Sequence, residues 1–130
     1  MVSDRVGDFI IRLKNAGMIG NQTIVAPYSK HVEAIANKLK DLGFVSRVES
    51  TKGIPQVINV TLAYDENGNH KIKGVKRISK PGRRLYIAST EAHTVKNGLG
   101  ARIISTPKGV LSDKEARKVR AGGETLFEIW

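Results

Sequence analysis

The spacing of apolar residues predicts two amphipathic helices in the first third of the chain. In the first helix, the residues at helical spacing are Val6, Phe9, Ile10 and Leu13. In the second helix, they are Val32, Ile35, Ala36 and Leu39. Ser3 and Ser29 are the predicted N-caps, and Gly17 and Gly43 mark the predicted ends. The polar face of the second helix, which includes Lys30, is expected to face solvent or a partner.

Short apolar runs and period-two alternation predict three strands around these helices. The segments are "TIVAP" (Thr23 to Pro27), Phe44 to Glu49 and Val57 to Tyr64. The segment "STKGIP" between the last two is typical of a hairpin connection. The first half is therefore predicted to be an α-β-α-β-β unit in which helices cover a small sheet.

A polar segment, "YDENGNHKIKG" (Tyr64 to Gly74), is the candidate boundary between two domains, because it contains Asn67-Gly68 and precedes a change in charge. We expect an N-terminal α/β domain over residues 1–66 and a C-terminal β-rich domain over residues 67–130. The predicted fold class is α+β, with short helices in the second domain.

The second half is predicted to consist mainly of short strands. A turn, "KPGR", is expected to join "VKRIS" and "RLYIAS" as a basic hairpin, with Gly82 at the positive φ of a type II turn. One or two helical turns are expected in Thr90 to Gly100, followed by the strand "ARIIS". Ser112 and Glu115 match a capping box at the start of a short basic helix, and a last strand follows the double glycine Gly122-Gly123.

The chain is strongly basic, and the charge is uneven. Its 130 residues include 22 Lys and Arg against 12 Asp and Glu, which gives a net charge of +10. Residues 1–70 carry a net charge of +1 and residues 71–130 a net charge of +9, which together recover the total. Since surface charge of one sign attracts a partner of the other, the second half is predicted to bind a polyanion rather than to be merely a solvated basic face.

The sequence gives little support for an enzyme. There is no cysteine, and the three histidines (His31, His70 and His93) are too far apart in sequence to form a recognisable metal-ligand motif. "NGLGAR" precedes a strand instead of a helix, which is typical of a helix C-cap and not of a phosphate loop. No cofactor or metal is expected. With no leader pattern and no apolar run of about 18 residues, we expect a soluble cytoplasmic protein without a membrane partner.

The loop "STPKG" (Ser105 to Gly109) carries the most suggestive chemistry. Serine and threonine hydroxyls donate and accept, so they can contact a ribose hydroxyl, a phosphate oxygen or a base edge, as suits a shallow RNA minor groove. Lys108 adds charge, and Gly109 permits close approach of backbone. An ordinary connection between strands explains the same residues equally well. Tyr86 can stack on one base or pack its ring at the rim of the sheet.

The order of motifs in the second half is specific. It contains an R-I-S-K-P-G turn, a following tyrosine, a G-L-G, an S-T-P-K-G-V loop, an S-D-x-x-A-R helix and a G-G-E start to the last strand. This succession closely resembles the bacterial form of small-subunit ribosomal protein eight. The resemblance continues upstream in "SKHVEAIANKLKDLGF" and in the first helix, so it covers essentially the whole chain.

The resemblance implies a two-domain α+β protein that binds the central domain of small-subunit ribosomal RNA and helps to assemble the platform region. It implies no catalysis. The RNA-binding residues that it implies in the C-terminal domain are Ser105, Thr106, Lys108 and Gly109, with Tyr86 and Glu124 as supporting contacts. The basic turn adds Lys80, Arg83 and Arg84 as candidate contacts, and the charge of Arg84 either supplements RNA binding or is simply solvated. In the N-terminal domain they are Arg12, Asn15 and Lys30. The implied partners are the RNA and neighbouring small-subunit proteins, including small-subunit protein five. The chain is implied to be a monomer within the ribosome.

Two residues depart from the family pattern. Pro107 stands where the family usually has a second serine, which removes a hydroxyl and a backbone N–H, and Arg84 stands where an aliphatic residue is common. Two other functions remain open: a repressor that binds its own messenger RNA, and a small nucleotide-acting enzyme, for which no clustered acid/base or metal set is visible.

Overall fold

A computed structural model describes residues 4–88 and 100–130 of the chain. These residues form two compact units, Met1–Lys73 and Gly74–Trp130, and each is described by itself. The predicted N-cap Ser3 and most of the segment from Thr90 to Gly100 lie outside the described residues.

The first unit has the predicted α-β-α-β-β order. Its elements in chain order are α1 (Arg5–Met18), β1 (Thr23–Pro27), α2 (Lys30–Asp41), β2 (Val45–Ser50) and β3 (Val57–Leu62). The strands form an antiparallel sheet in the order β1-β3-β2. One face of this sheet is buried, with alternate residues Ile58, Val60 and Leu62 at its centre. The predicted fold class is confirmed in this unit.

The two helices begin at side-chain caps. The N-cap of α1 is Asp4 and not the predicted Ser3, because the Asp4 carboxylate accepts a hydrogen bond from the Gly7 N–H at 3.1 Å. Ser29 caps α2 as predicted, and its Oγ accepts from the Val32 N–H at 3.5 Å. Phe9 and Leu13 of α1 and Ile35 and Leu39 of α2 are fully buried. The apolar stripes seen in the sequence are therefore the core side of each helix.

Over residues 74–88 and 100–130, the second unit contains a five-stranded antiparallel sheet and one short helix. Its elements are β4 (Val75–Arg77), β5 (Tyr86–Ile87), β6 (Ala101–Thr106), β7 (Gly109–Ser112), α3 (Asp113–Val119) and β8 (Gly123–Ile129). The strand order is β4-β8-β6-β7, and β5 also pairs with β8. Strand β8 is central because its register joins it to β4, β5 and β6.

The predicted hairpin between "VKRIS" and "RLYIAS" is wrong in its pairing. β4 and β5 both pair with β8, at different positions along it, and between them only Lys80 and Arg83 form an isolated bridge. The local turn is nevertheless present, since Lys80 and Arg83 exchange both backbone hydrogen bonds and Gly82 has a φ of 79°. β4 and β5 form more backbone pairs with β8 than they would with each other across the turn. The turn between them therefore projects from the edge of the sheet.

The two units divide between Lys73 and Gly74, later in the chain than the expected boundary after residue 66. The intervening residues belong to the first unit for a local reason. Tyr64 bridges His70, the Lys71 N–H donates to the Ala63 carbonyl at 3.0 Å, and Ile72 is buried. The polar segment therefore folds back on β3 before the chain leaves the first unit. No helix among the described residues is long and apolar enough to span a membrane.

Candidate nucleic-acid interface

Three of the implied RNA-binding residues lie side by side across the second sheet. Glu124 of β8 is in register with Tyr86 of β5 on one side and with Ser105 of β6 on the other. Residues directly opposite in antiparallel strands project to the same face, so these side chains form one row, called here the polar row. The neighbour of Tyr86, Ile87, packs against Ile104 and the α3 residue Ala116. The polar row therefore lies on the face that α3 does not cover.

The exposure of the polar row suits recognition. Tyr86 is 69% exposed, whereas Ser105 and Glu124 are half-buried. Among the described residues, the Ser105 hydroxyl has no hydrogen-bond partner, so its donor and its acceptors are available to a ligand. A half-buried hydroxyl on a central strand has a fixed position, which distinguishes it from a hydroxyl at the tip of a mobile loop.

Glu124 is the centre of a hydrogen-bond network. One carboxylate oxygen, Oε2, accepts from the Ser79 hydroxyl at 2.6 Å and from an Arg84 guanidinium nitrogen at 3.1 Å. Ser79 Oγ in turn accepts from the Leu85 N–H at 3.1 Å. These contacts connect the basic turn to the start of β8 and hold the Glu124 side chain, which is 18% exposed.

The predicted loop from Ser105 to Gly109 is a tight turn between two strands. β6 continues to Thr106, and β7, which was not predicted, begins at Gly109 with a φ of 112°. The Thr106 hydroxyl donates to the Gly109 carbonyl at 2.8 Å and accepts from the Lys108 N–H at 3.1 Å. Thr106 therefore uses its hydroxyl to close the turn, and Gly109 supplies a backbone conformation that other residues rarely adopt.

Lys108 extends from this turn to the end of the short helix. Its Nζ donates to the Val119 carbonyl at 3.3 Å, at the C-terminal turn of α3, where a cation interacts favourably with unsatisfied carbonyls. The residue is exposed. The start of α3 is confirmed as a capping box, because Ser112 Oγ accepts from the Glu115 N–H and Glu115 accepts from the Ser112 N–H. Both ends of α3 thus have side-chain partners that fix it beside the turn.

The double glycine before Glu124 allows the strands to approach closely. A Cβ on Gly123 would lie 2.0 Å from the Ser105 carbonyl oxygen, and a Cβ on Gly122 would lie 2.5 Å from the Ile87 carbonyl oxygen. Any side chain at either position would push β8 away from a neighbour. The G-G-E motif therefore brings β5, β8 and β6 together where the polar row crosses them.

Basic residues border one end of the polar row. Lys80 and Arg83 flank the projecting Pro81-Gly82 turn, and both are exposed. Among the described residues, neither makes an ion pair. Arg84, which is half exposed, is paired with Glu124. The carboxylate in the row is therefore accompanied by a larger positive charge, which favours approach of an anionic ligand.

The implied contacts in the first unit are only partly brought together. Arg12 and Asn15 line an open groove of about 320 Å³ beside β1, which also includes Ile19 and Asn21. Arg12 is held there by Asp8 at 3.0 Å and by the Val25 carbonyl at 2.9 Å. Lys30 is exposed at the first position of α2 and does not line this groove.

The described residues give no support to a metal centre, since no group of three or more potential ligands is found among them. The sequence interpretation missed Ser79, although it lies within the R-I-S-K-P-G motif. Ser79 is only 2% exposed, and its partner Glu124 is 45 positions away in sequence. A serine before a turn gives no local signal of such a contact.

Comparison with known proteins identifies the family. The family model of ribosomal protein S8 matches residues 4–130. The small ribosomal subunit protein uS8 of Pediococcus pentosaceus is 45% identical over 130 residues, which cover 99% of this chain and 98% of that protein. The protein of the same name from Nautilia profundicola is 41% identical over the full length of both chains, and that from Limosilactobacillus reuteri is 44% identical. The chain therefore belongs to the ribosomal protein S8 family.

Proposed function

We propose that the chain binds an irregular helix in the central domain of small-subunit ribosomal RNA and helps to assemble the platform region. Membership of the family makes it a structural component of the small subunit in cytoplasmic ribosomes. The RNA target is the further step. The single observation that carries it is the polar row of Tyr86, Glu124 and Ser105 on the sheet face opposite α3.

The polar row supports recognition of RNA shape. It offers an aromatic face, a carboxylate acceptor and a hydroxyl that can donate or accept, all on paired strands. The wide, shallow minor groove of an A-form helix presents 2′-hydroxyls and base edges to such a surface. Only one aromatic residue is present in the row, so the surface suits one stacked base beside a helix instead of a run of unpaired bases.

Affinity is proposed to come mainly from cations around the row. Lys80, Arg83 and Lys108 are exposed and lie on the two turns that border this part of the sheet. Contacts of this kind bind phosphates regardless of sequence and depend on salt. Thr106 and Gly109 support the interface by shaping the turn that carries Lys108.

The first unit is proposed to contact further RNA through Arg12, Asn15 and Lys30. The chain is proposed to act without a cofactor or catalysis, as a monomer next to other small-subunit proteins that include small-subunit protein five. These assignments follow the family resemblance. The groove that Arg12 and Asn15 line is the structural feature in the first unit that supports them.

The test is a binding comparison between two RNAs. One is a fragment that contains the irregular, internally looped helix of the central domain, and the other is a regular duplex of equal length. We expect the chain to bind the irregular helix more tightly at each salt concentration. Equal affinity for the two RNAs would refute specific recognition.

Two variants separate selectivity from charge. Ser105→Ala should reduce the preference for the irregular helix by about fivefold or more, since losing a hydrogen bond costs about 1 kcal/mol. The matched control is Ser50→Ala, which removes an exposed hydroxyl from β2 of the first unit. Lys108→Gln should leave the preference unchanged but reduce the salt dependence by about 0.7 to 0.9 in the slope of log affinity against log salt. The exposed Lys52 provides the matched control Lys52→Gln.

A further inference from the structure

The Ser79 hydroxyl is buried at the base of the projecting basic turn, where it has no access to an RNA ligand. Its residue is 2% exposed, and Oγ lies 2.6 Å from Glu124 Oε2 and 3.1 Å from the Leu85 backbone nitrogen. Buried hydroxyls are normally hydrogen-bonded, but this one joins two separate elements of the sheet. Any effect of Ser79 on RNA is therefore indirect, through the groups that its hydroxyl contacts.

The direction of each hydrogen bond is determined by chemistry. The Leu85 N–H can only donate, so Ser79 Oγ accepts from it. An ionised Glu124 can only accept, so the Ser79 proton is donated to Oε2. The short distance is typical of a hydroxyl bonded to a carboxylate. The backbone of the basic turn thereby determines where one oxygen of Glu124 lies.

Arg84 acts on the same oxygen. It donates to Oε2 at 3.1 Å, and its side chain is 50% exposed while that of Glu124 is 18% exposed. The guanidinium compensates the carboxylate charge, which would otherwise repel phosphates near the row. Among the described residues, Oε1 of Glu124 makes no hydrogen bond. The network thus occupies one oxygen and leaves the other as an acceptor on the residue that lies between Tyr86 and Ser105 in the sheet.

We propose that Ser79 and Arg84 are positioning residues that present Oε1 of Glu124 to a hydrogen-bond donor on RNA, either a 2′-hydroxyl or an amino group of a base edge. This inference rests on the proposed function, since it assigns a chemical selectivity to the same surface. A phosphodiester has no donor at neutral pH, so it cannot supply the hydrogen bond that Oε1 lacks. Glu124 therefore favours a minor groove that presents a donor at this point over a run of phosphates.

The first test measures selectivity in a variant at Ser79, which is buried away from RNA. Ser79→Ala should reduce the preference for the irregular central-domain helix over a regular duplex by about tenfold, equivalent to ~1.4 kcal/mol. The salt dependence should not change, because no cation is lost. Ser79→Thr, which keeps the hydroxyl, should restore most of the preference. Ser112→Ala is the matched control, because Ser112 is also buried in this unit but its hydroxyl caps α3.

A double-mutant comparison distinguishes positioning from general support of the fold. In a Glu124→Gln background, Ser79→Ala should cause little further loss of preference, because the group that it positions has already been replaced. If Ser79 only supported the fold, its substitution would weaken binding to both RNAs alike, in either background. Unchanged preference in folded Ser79→Ala, or an equal loss in both backgrounds, would overturn the positioning role.

Arg84→Leu provides the second measurement, and it decides the question if Ser79→Ala does not fold. Arg84 is half exposed, so its replacement should leave the fold intact. Arg84→Leu should reduce the preference for the irregular helix in the wild-type background but not in the Glu124→Gln background. A reduction of the same size in both backgrounds would contradict the inference. If the wild-type chain itself shows no preference for the irregular helix, the proposed function fails and the positioning role fails with it. A wild-type preference that survives in every variant refutes the positioning role alone.

Discussion

Replacing Gly123 by alanine should strongly destabilise the second unit. The new Cβ would lie 2.0 Å from the Ser105 carbonyl oxygen, 2.9 Å from its carbonyl carbon and 3.0 Å from Thr106 Cα. All of these atoms are backbone, so no side-chain rotation relieves the contact. Ordinary contact begins at 3.4 Å, so β8 and β6 must separate at the point where the polar row crosses them.

The cost can be estimated from the bonds that this separation affects. Overpacking typically costs about 1 to 3 kcal/mol, and each weakened backbone hydrogen bond adds about 0.5 to 1.5 kcal/mol. A total of ~3 kcal/mol corresponds to a decrease in Tm of about 12 to 24 °C for a unit of this size. A domain of similar length has roughly 6 kcal/mol of stability in all, so the variant should lose about half of its stability and still be folded at 25 °C.

Tryptophan fluorescence is the appropriate assay. The chain has one tryptophan, and Trp130 packs against Gly74 within the second unit, so its emission reports the unfolding of that unit. Gly53→Ala is the matched control, because its Cβ meets nothing within 4 Å and its φ is not positive. A Gly123→Ala variant that melts within a few degrees of Gly53→Ala would refute the proposed contact between β8 and β6.

Three further changes test other features of the structure. Ser112→Ala should cost about 1 kcal/mol of stability through loss of the helix cap, measured by urea unfolding of the second unit. Pro107→Ser should lower stability by about 0.4 to 1 kcal/mol in the same assay, since proline restricts the unfolded chain at this turn, and a stabilised variant would contradict this. Hydrogen bonds from the backbone N–H of Asn69, and then from that of Asn67, lower the pKa of Asp65 in the folded chain. The ionised Asp65 therefore stabilises the fold at pH values above the pKa that it has in the unfolded chain. This stabilisation is lost as the pH falls through the pKa of Asp65 in the folded chain. An NMR titration of the Asp65 carboxyl should show a midpoint below that of a free aspartate, and an ordinary midpoint would refute the turn geometry.

The elements of the first unit were predictable because each has a complete local pattern. The stripe from Val32 to Leu39 and the alternation at Ile58, Val60 and Leu62 identify the core side of α2 and β3 without knowledge of their partners. The cap of α1 was placed one residue too early. Asp4 and Ser3 are both good N-caps, and only the position of the Gly7 N–H distinguishes them.

The pairing in the second unit was less predictable because it depends on distant residues. The "KPGR" turn predicts a hairpin, yet its flanking strands pair with residues 127–129 and 123–124 of β8, far later in the chain. A turn motif predicts where the chain reverses direction, but it does not predict which strand each flanking segment pairs with. For the same reason Ser79 could not be connected to Glu124 from the sequence.

The contacts at the turn shift the proposed recognition from the loop to the strands. All the hydroxyls of the S-T-P-K-G segment were equivalent in the sequence, but Thr106 closes the turn while Ser105 has no partner among the described residues. Pro107 lies at the exposed tip, beyond the polar row. Proline in place of the family's serine therefore changes only the tip of the turn, and the row of Tyr86, Glu124 and Ser105 is unaffected. Selectivity should depend on Ser105 and on the network around Glu124, and the turn should contribute mainly the charge of Lys108 and a rigid connection.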